Sequence, residues 1–378
     1  MNISENNIHV GISYMYEPSF NRALLPLLQA GEVDALEWSF DTVKDFHLLP
    51  DWTIDLFKEF SEAGRLYGHG VYYSIFAGQW HDRHAQWLNG LEKVLKEFRF
   101  RHISEHFGFM TSGNAHEGAP LPVPFCYETL DLGVHRLKQL HQLTEVPVGL
   151  ENLAFSFSLR DVQQQGIFLE QLVTPVNGFV LLDLHNIYCQ SVNFGMDARE
   201  LVAAYPLHRV KEIHVSGGSW EDSAYATTQV RRDTHDNSIP EEVFALLEYA
   251  LPLCPYTDVV IMERLGDTLR DEQEEAQFRE DFLRVKQIVR NAPLQKADQW
   301  PVRSTRNDWF RANAENDFLH DQQTHILKIL GSAADAQAAH VALTGDEAID
   351  QELWQIANWR LPMIETAMLL GQKWGIQA

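Results

Sequence analysis

Gly178-Phe179-Val180-Leu181-Leu182-Asp183-Leu184-His185-Asn186 drives four consecutive large apolar residues straight into a group of cation-binding side chains. An antiparallel strand with one wet face alternates apolar and polar residues. The unbroken run Phe179–Leu182 is what a parallel strand covered on both faces requires. Similar short runs recur on either side. Strands are expected at His9–Tyr14, Ala35–Ser39, Leu66–Tyr72, Phe100–His106, Pro147–Asn152, Gly178–Asp183, Val210–Val215 and Asp258–Glu263.

Helix-like stretches separate them, among them Asn21–Ala30, His84–Phe98, Leu130–Leu143, Ala198–Tyr205, Glu241–Leu251 and Asp271–Arg290. Within His84–Phe98, the residues Trp87, Leu88, Leu91, Val94, Leu95 and Phe98 recur at three and four, the helical period. Eight strands alternating with helices over roughly 290 residues match a (β/α)₈ TIM barrel. A doubly wound open sheet would place a G-x-G-x-x-G turn after the first strand, and Gly11-Ile12-Ser13-Tyr14 lacks that spacing.

Past residue 292 the pattern changes. Ala292–Arg306 reads as a polar connector with Pro293 and Pro301, followed by helical stretches at Asn307–Leu330 and Glu347–Trp374. The second carries Ile349, Leu353, Ile356, Leu361, Ile364 and Leu369 on an apolar side, broken at Pro362. The expected division is a metal-binding barrel over 1–292 and a helical extension over 293–378, packed on the barrel or on a partner.

The chain has 378 residues, 45% hydrophobic and 22% charged, as in an ordinary folded protein. Its net charge of −23 repels phosphates and argues against nucleic acid as a partner. There is no apolar run long enough for a membrane helix, and Met1–His9 lacks the basic and apolar regions of a signal peptide, so a cytoplasmic location is expected. Cys126, Cys189 and Cys254 fit neither a disulfide framework nor a zinc finger and read as reduced, buried thiols.

The chemistry lies at the strand ends. His69, His106, Glu151-Asn152, Asp183 with His185 and Asn186, His214, and Glu263-Arg264 fall at or near the ends of the third to eighth strands. Asp233-Thr234-His235-Asp236 follows the seventh. In a barrel these ends converge on the rim where active sites are built. Each residue alone is weak, since strand-end histidines and Glu-Asn pairs often serve only as hydrogen-bonded supports. So many carboxylates and imidazoles packed together carry a penalty of several kcal/mol that bound cations remove.

The clustered positions include no thiolate, which disfavours iron–sulfur clusters and structural zinc. Iron, manganese, zinc and cobalt all suit the donors. About ten donors exceed the needs of one ion, so a multinuclear site follows, with Glu151 and Glu263 able to bridge. His185 is either a ligand or the orienter of one. Gly217-Gly218 is expected to allow a tight turn. Glu37 and Asp41 are expected to support or orient rather than ligate. Trp80-His81-Asp82-Arg83-His84 reads as a polar loop leading into a helix start.

Taken together, Ser104-Glu105-His106, Glu151-Asn152, Asp183-Leu184-His185-Asn186-Ile187-Tyr188, Asn193-Phe194-Gly195, Glu212-Ile213-His214, Asp233-Thr234-His235 and Glu263-Arg264 resemble the DUF692 proteins, the MbnB-like multinuclear non-heme iron-dependent oxidases. The resemblance runs in order over about residues 9–290. It implies a xylose-isomerase-like barrel holding two or three iron ions, with dioxygen as co-substrate. It also implies modification of a precursor peptide, often at cysteine, in ribosomal natural-product (RiPP) biosynthesis, aided by a small partner protein that recognises the leader. Carried over by motif, the ligands are His69, His106, Glu151, Asp183, Asn186, His214, Asp233, His235 and Glu263, with Asp233, His235 and Glu105 assigned catalytic roles. Glu105 stands where the family often has Asp, and Leu265 where many members carry an acid. The alternative on the same barrel is a divalent-metal sugar isomerase or epimerase, or an endonuclease-type phosphoesterase. A third is a metal-stabilised binding module that docks partners through its C-terminal helices.

Overall fold

The computed structural model describes residues 8–110, 120–293, 300 and 315–374. Eight parallel strands close into a barrel: β1 His9–Ser13, β2 Ala35–Trp38, β3 Leu66–Gly70, β4 Ile103–His106, β5 Val148–Glu151, β6 Phe179–Asp183, β7 Val210–Val215 and, after a small antiparallel hairpin of β8 Trp220–Glu221 and β9 Val230–Arg231, β10 Val259–Met262. β10 pairs with both β1 and β7, which closes the ring. All eight barrel strands expected from the sequence are present, each trimmed by up to a few residues.

Helices α1 Pro18–Gln29, α2 Asp51–Glu62, α3 Asp82–Glu97, α4 Tyr127–Thr144, α5 Leu159–Val173, α6 Leu184–Phe194, α7 Ala198–Ala204, α8 Glu241–Ala250 and α9 Glu272–Asn291 join the strands. The main apolar core lies between this helical layer and the sheet. Inside the barrel a much smaller apolar cluster, Ala35, Tyr67, Val259 and Ile261, leaves room for buried ionisable groups. Two glycines mark where backbone must come close: a Cβ at position 149 would lie 2.4 Å from the Phe179 ring, and one at 166 would lie 2.2 Å from the Ala204 carbonyl oxygen.

Beyond the barrel come α10 Asp317–Ser332, α11 Ala336–Gly345, α12 Gln351–Trp354 and α13 Leu361–Trp374. Most of the expected connector and positions 307–314 of the first expected helix lie outside the described residues. The second expected helix is interrupted at Gln355, whose φ of 50° is left-handed, and not at Pro362. Pro362 occupies the first turn of α13, where a missing N–H costs nothing. The buried face of α13 is Met363, Ile364, Ala367 and Met368, whereas Leu369, expected on that side, is exposed.

These helices sit on the barrel itself, over loops at the carboxyl ends of the strands. Gln323 accepts a hydrogen bond from Gly78 N at 2.8 Å and donates to the Phe76 carbonyl at 2.6 Å, both in the loop after β3. The Trp359 indole stacks on Phe157, in the loop after β5, with ring centroids 3.7 Å apart and planes 3° from parallel. Arg360 N donates to the Phe157 carbonyl at 2.9 Å. Trp359→Ala removes the stacked partner of a buried Phe and is expected to cost about 3–5 kcal/mol. Hydrogen exchange checks this: amides of α10–α13 should lose protection while those of the barrel strands keep theirs.

Candidate metal centre

Alternation along parallel strands aims every second side chain into the barrel. Pairing then fixes which inward residues are neighbours: His106 is in register with Glu151, and Asp183 with His214. Four donor groups result, each with ligand atoms within 4.8 Å of one another: deep in the barrel, Glu37, Glu212 and His214; and towards the rim, His69, His106 and Glu151; Glu151, Asp183 and His214; Asp183, His235 and Glu263. Glu151 and Asp183 each belong to two groups, so the three rim groups form a chain in which carboxylates are shared, and His214 links them to the deeper group. His69 and His106 approach with Nε2 atoms 3.2 Å apart, and Glu151 Oε2 lies 3.4 and 3.2 Å from them.

The orientation of each donor is set locally. Ser104 Oγ donates to the Gly68 carbonyl at 3.4 Å, so it accepts from His69 Nδ1 at 2.8 Å and leaves Nε2 with a free lone pair. Asp183 ends β6 and caps α6, with Oδ1 accepting from Asn186 N at 2.6 Å while Oδ2 stays unpartnered. Asn152 clamps β5 to β6 by bonding both the N–H and the carbonyl of Asp183, at 2.7 and 3.1 Å. Asn186 Nδ2 donates to Glu151 Oε1 and the Asn152 carbonyl at 3.0 and 2.8 Å, which leaves Oδ1 turned away and free. His235 has a left-handed backbone, φ 52°, a strain of about 1–3 kcal/mol at a functional position.

Buried polar atoms almost always find a partner. In the barrel, His106 Nδ1, Glu151 Oε2, Asp183 Oδ2, Asn186 Oδ1, His214 Nδ1, His235 Nε2, Glu263 Oε2, Glu37 Oε1 and Glu212 Oε1 are buried without a well-formed hydrogen bond, although several face an oppositely charged group at 2.9–3.4 Å. Seven of these atoms belong to the nine residues singled out by motif, and the other two to Glu37 and Glu212. Oxygen and imidazole donors left open in one volume fit a set of divalent cations.

Electrostatics agree. Burial pushes Asp183 well above the usual carboxylate range, and the nearby Asp233, Glu151 and Glu263 push it further. Burial would also raise Glu151, yet His106 and His69 hold its carboxyl below the usual range. Burial opposes a charge on His106, but Glu151 raises it to about 9. His214 and His235 are raised well above normal against the same burial, chiefly by Glu263 and by Asp233 respectively. Without a cation, protons on these imidazoles balance the carboxylates, and metal binding displaces protons from such groups.

Behind the donors stand supporting residues, of which Arg231 is new to the sequence reading. Arg231 donates to His185 Nε2 at 3.0–3.2 Å. A guanidinium only donates, so His185 carries its proton on Nδ1 and gives it to Asp233 Oδ1 at 2.8 Å. His185 therefore orients Asp233 rather than joining the donor groups. Glu37 Oε2 lies 3.1 Å from His214 Nε2, and Glu212 Oε1 3.6 Å, on the side away from Glu263, which approaches Nδ1 at 3.2 Å. Glu212 in turn bonds the buried His102 at 2.9 Å. Glu37 was expected to support or orient, and Glu212 lies in the quoted Glu212-Ile213-His214 motif. Nothing in sequence linked Arg231 to His185.

Other expectations resolve differently. Glu105 is absent from the donor groups: its carboxylate lies over Gly70, where a Cβ would meet Oε2 at 2.1 Å and Trp87 of α3 at 2.8 Å. That places it between sheet and helix layer. Gly217 and Gly218, expected to allow a tight turn, are required by close approach of backbone. A Cβ on either would lie 2.1 Å from a carbonyl oxygen of the 232–238 loop, so their smallness admits the segment that brings Asp233 to His185. Asp41 accepts from Val71 N, Tyr72 N and Trp87 Nε1 at 2.7–2.8 Å and is structural. His81 caps α3, with its N–H bonded to His84 at 3.0 Å, as the helix-start reading expects. Cys189 and Cys254 are buried and unpaired, whereas Cys126 is only partly buried.

A family model described as "RiPP precursor modification enzyme MbnB/TglH/ChrH" matches residues 37–279, which include all nine motif residues. The chain belongs to the MbnB/TglH/ChrH family. The resemblance seen in sequence is thereby settled at family level, and the match ends before α10–α13. Relatives of the MbnB/TglH/ChrH protein include a UPF0276 protein of Alcanivorax borkumensis, 26% identical over 199 residues, covering 51% of this chain and 64% of that one. A UPF0276 protein of Bordetella pertussis is 32% identical over 189 residues, 49% of this chain and 63% of its own. The chain thus spans a little under two thirds of the length of these relatives.

Among solved structures it is similar to a xylose isomerase domain protein from Planctomyces limnophilus, with 13% identity, TM-score 0.49, and coverage of 76% of this chain and 99% of that one. It is likewise similar to D-psicose 3-epimerase from Clostridium cellulolyticum H10, with 13% identity, TM-score 0.47, and coverage of 75% and 99%.

Glu37→Gln keeps the size of the His214 partner but removes its charge. Metal affinity, measured by competition with a chelator, is expected to fall about 10- to 100-fold, and unchanged affinity would contradict the orienting role. The second expectation concerns pH. The proton on His106 is held to about 9 in the native state against an ordinary 6.5, so its contribution is full below about 6.5 and is lost as pH rises through 9. Urea unfolding of metal-free protein should show stability falling across that window, with a smaller fall in metal-loaded protein.

Proposed function

We propose that this protein is a multinuclear iron-dependent enzyme that uses dioxygen to oxidise a cysteine of a ribosomally synthesised precursor peptide. The observation that carries the reading is the chain of three donor groups joined through Glu151 and Asp183, within a chain whose family modifies RiPP precursors. Two or three ions would be held by His69, His106, Glu151, Asp183, Asn186, His214, Asp233, His235 and Glu263. The donors are all oxygen or imidazole, which suits iron and not an iron–sulfur cluster. Iron held there would supply redox chemistry with dioxygen and a position that takes a thiol as thiolate.

The protein's own residues divide the remaining work. His235, His106 and Asp233 are the more exposed members of the set, at 23%, 22% and 20% of the side chain, and of these Asp233 and His235 are assigned to the substrate side. Arg231 and His185 hold Asp233 in place, and Glu37 holds His214. Glu105, behind β4, supports His106, whose N–H donates to Oε1 at 3.2 Å, so a positioning role replaces the catalytic one. The functional unit is the barrel over 1–292, with 293–378 as an extension on its rim, acting in the cytoplasm with a small leader-recognising partner protein. No helix among the described residues is long and apolar enough to cross a membrane.

The test is anaerobic loading with ferrous iron, then dioxygen and a cysteine-containing precursor peptide, followed by mass spectrometry. A mass change is expected that needs iron, dioxygen and the cysteine, and that disappears when serine replaces it. A fully iron-loaded protein that leaves every such peptide unchanged would contradict the reading. Activity with zinc or manganese alone would favour the sugar isomerase or phosphoesterase alternative.

A further inference from the structure

A cleft of about 1280 Å³ lies between the loops after β2 and β3 and helix α3. Its floor is apolar, with Phe40, Phe46, Trp87 and Val94 buried beneath it. Tyr72 stands at its mouth, 41% exposed. The contacts named above place the C-terminal helices on the loops after β3 and β5, and Arg360 reaches the Asn193 carbonyl at the end of α6. The β2 side of the rim receives no contact from them in those bonds. The cleft also adjoins the metal rim: Asp41 in its wall bonds the amides of Val71 and Tyr72, just past His69 and Gly70.

Its charge runs against that of the molecule. The chain has 53 acidic and 30 basic residues, yet Lys44, Arg83, Lys93 and Lys96 line this one cleft. Among the described residues no ion pair involves Lys44 or Lys93, and Lys96 meets only Glu92 of its own helix, at 3.3 Å in solvent, a contact that contributes little. Three acids share the lining, and two are already engaged. Asp41 accepts three hydrogen bonds, and Asp45 accepts from His47 N at 3.0 Å. Glu97 is the third. A cleft with low-dielectric walls that carries cations such as Lys44 and Lys93 concentrates oppositely charged ligands.

The spacing favours an extended chain. Lys93 and Lys96, three apart on α3, lie on the same helix face, with Lys44 on the opposing loop. Side chains on one face of an extended peptide repeat every ~7 Å, so alternate carboxylates can meet cations while the intervening residues cover the aromatic floor.

We propose that this cleft docks an acidic, aromatic-containing segment of the substrate peptide in extended form, next to the metal rim. The proposal rests on the precursor-peptide reading above and adds the chemistry of the segment recognised.

The experiment is fluorescence anisotropy on the full-length metal-loaded protein without dioxygen, so that no turnover is involved. The probes are a short fluorescein-labelled peptide of alternating glutamate and phenylalanine, and its lysine counterpart. The acidic probe should bind, the basic one should not, and added salt should weaken binding. Lys44→Glu with Lys93→Glu should weaken the acidic probe about tenfold or more, while Lys328→Glu on α10 leaves it unchanged. An unchanged melting temperature shows that the double variant is folded.

Equal binding of both probes, no binding of the acidic one, or no effect of the double substitution overturns the proposal. Docking without oxidation of any cysteine peptide would remove the oxidase reading and leave this one. Oxidation of a cysteine peptide unaffected by the double substitution in both binding and rate would do the reverse.

Discussion

Closing eight parallel strands into a ring forces their inward side chains to share one narrow volume, and here those side chains are mostly carboxylates and imidazoles. A typical barrel fills that space with branched apolar residues in layers. This one keeps a small apolar cluster of Ala35, Tyr67, Val259 and Ile261, with Phe179 packed on His102, and sets Glu37, His102, Glu212 and His214 among them. Stripping water from each ion costs several kcal/mol, so the arrangement is stable only if every negative group meets a positive one. Protons on the histidines can do this, and metal ions do it better because one cation satisfies several open lone pairs at once.

The consequence is a division between groups that present lone pairs and groups that fix how they are presented. His69 is aimed by Ser104, Asp183 by the start of α6, Asn186 by Glu151 and the Asn152 carbonyl, and Asp233 by His185 under Arg231. Each support uses the other polar atom of the donor it holds, so the open atom is left by subtraction. Gly217 and Gly218 belong to the same device. Without room for a Cβ there, the loop from 232 to 238 could not approach, and Asp233 and His235 would leave the cluster.

Much of this was legible in the chain because parallel strands announce themselves twice, by an apolar run and by the polar residues that end it. Phe179–Leu182 followed by Asp183 carries both signals, and the strand ends located the donor cluster directly. What sequence could not show depended on packing between distant segments. The outward turn of Glu105 toward Trp87, by contrast, follows from strand alternation next to the inward His106, a signal the motif resemblance overrode. The pairing of Arg231 with His185 spans 46 positions and a hairpin too short to have a pattern. The break at Gln355 was hidden because a left-handed glutamine has no compositional mark, while Pro362 drew attention to a place where proline is harmless. The seat of the C-terminal helices on the rim depends on Phe157 and Trp359, two aromatics that any core could contain.

Where cations settle in the barrel is the most direct test of this arrangement. Crystals grown anaerobically with ferrous iron, with data collected on either side of the iron absorption edge, locate them without reference to activity. Anomalous peaks are predicted between His69, His106 and Glu151, between Glu151, Asp183 and His214, or between Asp183, His235 and Glu263, with at least two of the three filled. Well-ordered side chains at those places with no anomalous signal, or iron bound only elsewhere on the molecule, would contradict it.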